Sequence, residues 1–459
     1  MSVSRRTIPW LVAGVVIVVL AIVAAVVVPR LVAGDDDAVS RSAGTPQSTR
    51  PGSTPLSWQP CPDAQSDPDL AVQECAFLPV PKTWDDPASG TFLIHVRRLP
   101  AQPTAQSGTR LGSIVINQGG PGISSDAYTA TALAGKMPEL RARFDLVWFD
   151  PRGTGKSEPR LKPCTQALGL NQQQPEVGPY AWPQATGFRV DQQTALGREC
   201  LRLNEPEGRL IGTREVLRDI DALREALGDE QLTYLGYSYG TRIGTQYAKT
   251  FPDGVRAMVL DGTVDPSGTM LGLGRNLATG DPATVGLIRS SMAPAMQPVY
   301  DDVVRQLQIT PITETSPEMG TVTTWTRWTF GQELGAIAVA DSSAGLGPSA
   351  EAYICRLARQ AQLPSGPCPQ PDPQPTEPPR ELPPDMIDWA PEASGSGGVT
   401  AAPARQLINC ADLSGRPDAD ALAALMPPAD QTDTPLTASF VLMYASMCSG
   451  LPEAWAPIG

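Results

Sequence analysis

The chain has 459 residues, 41% of them apolar and 18% charged, with a formal net charge of −13. That apolar fraction fills a core, which excludes a disordered acidic tail, and the acidic balance argues against a nucleic-acid partner. There is one histidine, His95. A His-rich metal site is therefore excluded, and any histidine general base must be His95 or belong to another chain.

Residues 10–28 form an unbroken apolar run of 19 residues, preceded by Arg5 and Arg6 and followed by Arg30. As a helix, that run spans the roughly 30 Å hydrocarbon core of a bilayer. The two leading arginines favour a cytoplasmic N-terminus. The expectation for residues 1–33 is a cytoplasmic stub and single-pass transmembrane helix that leaves the body of the protein extracytoplasmic. The alternative is a cleaved signal peptide and a secreted protein, but the run exceeds the usual ~7–15 residues. Residues 34–57 carry Ser, Thr, Pro and Gly without apolar periodicity and read as a disordered tether.

Eight cysteines follow the apolar run: Cys61, Cys75, Cys164, Cys200, Cys355, Cys368, Cys410 and Cys448. An even count in an exported chain points to disulfides, and pairing between sequence neighbours is expected: 61–75, 164–200, 355–368 and 410–448. No C-x-x-C pair is present, so a zinc ribbon is not supported, and neither a metal nor a cofactor is expected.

Between 58 and 266, short apolar runs end in turn residues. They are 91–99 (TFLIHVRRL, with Phe92, Ile94 and Val96 on one face), 113–117 (SIVIN), 144–150 (FDLVWFD), 232–236 (LTYLG) and 255–261 (VRAMVLD). Residues 213–227 place Val216, Ile220, Leu223 and Leu227 three to four apart, and Gly228 ends that helix. Strands alternating with helices imply an α/β fold, doubly wound on a mostly parallel sheet covered on both faces. Residues 267–405 show helix-like segments without strand signals, then a Pro-rich run (364–385) and a Gly/Ser-rich run (390–400), and read as a helical cap insertion. Residues 406–459 read as the cap end and the return toward the core.

Three motifs carry the chemistry. Gly236-Tyr237-Ser238-Tyr239-Gly240 is a G-x-S-x-G entered by an apolar strand and left by a helical pattern. In that setting the serine sits on a sharp turn with its hydroxyl above the sheet edge, as a nucleophile requires. Asn117-Gln118-Gly119-Gly120-Pro121-Gly122 follows a strand, and its glycines leave backbone N–H groups open to a developing oxyanion. Gly119 and Gly120 are the loop candidates, with the N–H of Tyr239 as their partner. Asp150 to Ser157 (DPRGTGKS) lacks phosphate-loop spacing and reads as structural, with Asp150 and Arg152 fixing a loop near the site.

The segments ECAFLPVPKTWDDP, NQGGPG, FDLVWFDPRGTGKSEP, GYSYGTRIGTQYAKTFP and MVLDGTVDP, in this order, resemble the tripeptidyl-aminopeptidase-like branch of the α/β-hydrolases, relatives of the proline iminopeptidases. The resemblance covers about 61–266, is weak in the cap, and returns at LINCADL and around Cys448. Gln118 departs from the branch, which usually has Pro there. The resemblance implies a serine hydrolase that releases short N-terminal peptides through an acyl-enzyme on Ser238, with a peptide or small ester or amide as substrate. It makes Asp412 in LINCADL a candidate partner for the substrate ammonium.

The branch places its triad acid and histidine after the cap, yet no histidine follows Ser238. The expectation is a chain cut short, with the last strand–helix units missing, activity absent or weak, and a separately encoded C-terminal fragment as a conceivable partner. His95 lies in an early strand and reads as an ordinary surface or edge-strand residue. Asp261-Gly262 reads as a turn. The competing readings are a non-catalytic binding protein of the same fold and an esterase or amidase rather than a peptidase.

Overall fold

A computed structural model describes residues 55–64, 72–104, 107–125, 130, 134–135, 137–164, 182–266, 268–315, 322–325, 330, 333–334, 347–368, 401–425 and 445–457. The expected membrane helix, most of the tether and the Pro-rich and Gly/Ser-rich runs lie outside the described residues. Among those described, no helix is long and apolar enough to cross a membrane.

The strands are β1 (Gln59–Pro60), β2 (Glu74–Thr83), β3 (Asp86–Leu99), β4 (Gly112–Asn117), β5 (Phe144–Phe149), β6 (Leu232–Tyr237), β7 (Val255–Asp261), β8 (Ile312–Thr315) and β9 (Val322–Trp325). The helices are α1 (Pro138–Arg141), α2 (Trp182–Asn204), α3 (Thr213–Ala226), α4 (Tyr239–Thr250), α5 (Met270–Ser291), α6 (Gln297–Ile309), α7 (Gly347–Gln360), α8 (Ala401–Asp412) and α9 (Ala419–Ala423).

Seven strands form one sheet in the order β1-β2-β3-β5-β4-β6-β7. The stretch β5-β4-β6-β7 is parallel, as the alternating pattern requires. β1, β2 and β3 pair antiparallel, and β3 meets β5 antiparallel, so one flank departs from the parallel expectation. β4 is buried along its whole length, consistent with a central strand covered on both faces. β7 is the other edge: β6 is its one strand neighbour among the described residues, and Val259 on it is 61% exposed.

One apolar core gathers Val96, Val115 and Val147 from the sheet with Val216 and Ile220 of α3 and Ile243 of α4. Leu407, Ile408, Met447 and Leu451 join the same core. A second core is built from α5, α6, α7 and β8, around Val303, Phe330 and Ile354. This inserted lobe is not purely helical as expected. β8 and β9 pair antiparallel, Ile312 opposite Trp325 and Thr313 opposite Thr324, because ITET and VTTW are short runs rich in β-branched residues.

All four expected disulfides are present: Cys61–Cys75, Cys164–Cys200, Cys355–Cys368 and Cys410–Cys448. No described cysteine is free.

Candidate active site

β6 delivers the chain to Ser238 and α4 carries it away. Ser238 has φ 51° and ψ −119°, a left-handed conformation that a residue with a Cβ adopts only when its surroundings impose it. The flanking glycines make the turn sterically possible, since a Cβ on Gly236 would lie 2.6 Å from the Gly240 carbonyl oxygen. The Ser238 N–H donates to the Asp261 carbonyl at 2.9 Å, tying the turn to the end of β7. Asp261 therefore holds the turn through its backbone. The Ser238 side chain is exposed, and its hydroxyl makes no hydrogen bond to a described residue.

The loop after β4 lies against this turn. Gly119 has φ 105°, and a Cβ there would fall 2.8 Å from the Tyr237 carbonyl oxygen and 2.9 Å from the Ser238 Cβ. Only glycine fits such an approach. The Gly119 N–H, one of the expected oxyanion donors, is already committed: it donates to Asn117 Oδ1 at 2.9 Å. This corrects the assignment of Gly119, whose part is close packing rather than donation. The Gly120 N–H has no acceptor among the described residues. The N–H of Tyr239, at the first turn of α4, is likewise unpaired and retains the positive end of the helix dipole. Gln118, the departure from the family pattern, closes the loop by donating from Nε2 to the Ser124 carbonyl at 2.6 Å.

Two buried carboxylates brace the site. Asp150, 1% exposed at the end of β5, accepts the Ser125 N–H and hydroxyl on Oδ1 (2.6 and 2.8 Å), and the Lys156 N–H and His95 Nδ1 on Oδ2 (2.9 and 3.0 Å). Burial pushes its carboxyl up, but the hydrogen bond and charge of His95, with the two backbone amides, more than offset this and hold it below the ordinary carboxylate value. Arg152, fully buried, donates to Asp219 at 2.6 and 2.7 Å and to the Pro81 carbonyl at 2.8 Å, which fastens the end of β2 to α3. The structural reading of the Asp150–Ser157 segment therefore holds.

Asp412, the last residue of α8, is 4% exposed. It caps α3, accepting the Thr213 N–H on Oδ1 (2.9 Å), the Thr213 hydroxyl on Oδ2 (2.5 Å) and the Tyr239 hydroxyl at 3.1 Å. Burial raises its pKa, against the charge of Arg242 and these hydrogen bonds. Its oxygens are engaged by Thr213 of α3 and Tyr239 of α4, so it braces Tyr239 from within rather than facing outward.

His95 is a correction. It is 2% exposed and lies in an interior strand, not at a surface or edge. The face of β3 opposite Phe92, Ile94 and Val96 is also covered, by polar groups. His95 bonds Asp150, and Arg97 donates to Gln73 Oε1 and Asp63 Oδ2 at 2.6 Å each. Alternation told the apolar face, but a polar face buried under a hydrogen-bonded loop has no sequence signature. His95 does not serve Ser238, because three strand spacings separate β3 from β6, about 14 Å. Nor is Ser125 a second nucleophile, since its hydroxyl bonds Asp150 and not the imidazole.

One group of metal-type donors exists among the described residues, Cys61, Asp63 and Cys75. The sulfurs are bonded to each other, and Asp63 pairs with Arg97 and Lys156 at 2.6 and 3.2 Å, so the group does not fit an ion.

Residues 112–297 match the family model described as the alpha/beta hydrolase fold. That segment holds both the Gly-rich loop and the serine turn, and it has the α/β-hydrolase fold. Among curated proteins, serine protease Hip1 of Mycobacterium tuberculosis is 38% identical over 219 residues, which are 46% of this chain and 40% of that protein. Tripeptidyl aminopeptidase of Streptomyces coelicolor is 34% identical over 202 residues, 42% of this chain and 36% of that protein. Carboxylesterase B of Mycobacterium tuberculosis is 37% identical over 214 residues, 46% of this chain and 40% of that protein. The chain thus spans about 40% of the length of the curated relatives it matches.

Proposed function

We propose that the protein is an exported serine hydrolase of the peptidase type, in which Ser238 attacks an acyl carbon and the Gly120 and Tyr239 amides take the oxyanion. The observation that carries this reading is an exposed serine at φ 51°, opening a helix, with the Gly119 backbone packed against its turn. A tetrahedral oxyanion needs donors fixed before it forms, and backbone amides on a packed loop and a helix terminus meet that need. Relatives named as a serine protease and a tripeptidyl aminopeptidase favour a peptide substrate with a free N-terminus, and one named as a carboxylesterase keeps esters in play. The four disulfides favour an oxidising, extracytoplasmic setting, and residues 10–28 would hold the protein at the membrane.

A second reading has its own support. No imidazole of this chain lies within reach of Ser238, and a serine without its base typically loses about 10⁶ in turnover. By itself the chain acylates slowly, or it binds acyl groups without turning them over, and a separately supplied base would raise the rate. Exposure to an activated acyl ester followed by intact-mass measurement tests both. A single acyl adduct on Ser238 that persists for lack of a base supports the hydrolase reading. Saturable binding without any adduct supports the non-catalytic one.

A further inference from the structure

We propose that His95 and Asp150 form a positioning pair for the oxyanion loop: the imidazole orients the Asp150 carboxylate so that it pins Ser125, and the pinned loop places the Gly120 amide beside Ser238. The proposal deepens the hydrolase reading and rests on it. The carboxylate has four acceptor positions and four donors fill them. Two belong to Ser125 on the loop, one is the Lys156 N–H, and His95 Nδ1 is the only donor from the sheet itself. The imidazole cannot drift. Its backbone N–H donates to the Ser157 hydroxyl at 2.8 Å, its carbonyl accepts the Asp150 N–H at 2.9 Å, and the Phe77 ring lies 5.5 Å from its own. The other ties on the loop, Gln118 to the Ser124 carbonyl and Arg97 to the Ser125 carbonyl at 3.3 Å, are made to oxygens. Apart from the internal bond of the Gly119 N–H to Asn117, Asp150 is the group that, among the described residues, holds the loop by an N–H and a hydroxyl. Space there is tight, since a Cβ on Gly155 would meet both Asp150 Oδ2 and the Ser124 Cβ.

Without the imidazole donor, the buried carboxylate loses the partner that keeps it ionised. Once protonated, it turns an O–H toward amide donors, and the loop must reseat. A displacement of about 1 Å in a catalytic group can cost about a hundredfold in rate. His95→Leu removes the donor, whereas His95→Asn keeps an N–H near the Nδ1 position.

The test is amide hydrogen exchange of the full chain, read peptide by peptide, with fluorophosphonate labelling of Ser238 on the same samples. In His95→Leu, exchange over residues 117–125 is expected to accelerate about tenfold or more, the equivalent of one lost charged hydrogen bond, while α3 keeps its protection. His95→Asn is expected to restore the slow rate. Labelling in His95→Leu is expected to fall about ten- to a hundredfold in its maximal rate with probe affinity unchanged. Unchanged exchange over 117–125 in His95→Leu would overturn the proposal, as would His95→Asn behaving like His95→Leu. The exchange result decides the role of His95 even if the wild-type serine proves unreactive, an outcome that would count against the hydrolase reading instead.

Discussion

A left-handed serine is held against a local preference of roughly 1–3 kcal/mol, so the contacts around Ser238 must hold it there. Gly119 is one of them. Gly119→Ala would set a methyl against the Tyr237 carbonyl and the Ser238 side chain at a backbone φ of 105°. It is expected to lower the melting temperature and to slow acylation of Ser238 at least tenfold, as seen by differential scanning calorimetry and by probe labelling. Asp412 makes a prediction about pH. Its folded pKa lies above its unfolded value, so between the two the native state holds more protons than the unfolded chain, and this residue adds stability as pH falls through that window. Asp150 works in the opposite direction. Its folded pKa lies below the unfolded value near ~3.9, so its contribution is complete above that value and is lost as pH falls through the folded one. Asp412→Asn is therefore expected to diminish the stability gained as pH falls toward the ordinary carboxylate value, measured by thermal unfolding. An unchanged gain would show that Asp412 is not the group responsible.

At the level of elements, the disulfide between Cys410 and Cys448 ties α8 to the segment that closes the main core across 38 residues. Replacing both cysteines by serine is expected to cost about 4 kcal/mol by loop entropy, visible as a lower denaturant midpoint. On β7, Val259 is exposed and no further strand pairs with β7 among the described residues, and Val259→Lys is expected to reduce aggregation, followed by light scattering, without lowering the melting temperature. The elements readable from sequence were those whose patterns are local. β4, β5, β6, β7 and α3 follow from apolar runs and 3.6-residue spacing and lie within a residue or two of expectation. β2 was not readable, because Pro79 and Pro81 break the strand signal. Those prolines are tolerated in a strand whose partners leave their positions without an amide to supply. The β8–β9 hairpin was too short to stand out in a helical stretch. In the candidate site, the strand–turn–helix setting of Ser238 was legible from one five-residue motif. The burial of His95 against Asp150 and the inward bracing by Asp412 arise between residues far apart in the chain, and no local pattern encodes them; the bond from the Gly119 amide to Asn117 is local, and it depends on the Asn117 rotamer, which the motif does not specify.

Among the described residues, the sheet carries the Ser238 turn on its parallel half, and a second apolar core gathers around Val303, Phe330 and Ile354. The two halves of the sheet have different work. The parallel half forms the Ser238 turn, while the antiparallel flank carries Arg97, which bonds the Ser125 carbonyl, and His95, which bonds Asp150 and through it meets Ser125. The acidic balance of the chain favours approach of cations over anions, and that attraction is expected to weaken as salt is raised. The most direct measurement is the time course of fluorophosphonate labelling of the purified chain, with the modified residue located by peptide mapping and Ser238→Ala as control. Slow labelling confined to Ser238 and absent from the control is the predicted result. Labelling no faster than in Ser238→Ala, or an adduct on a different residue, would contradict it.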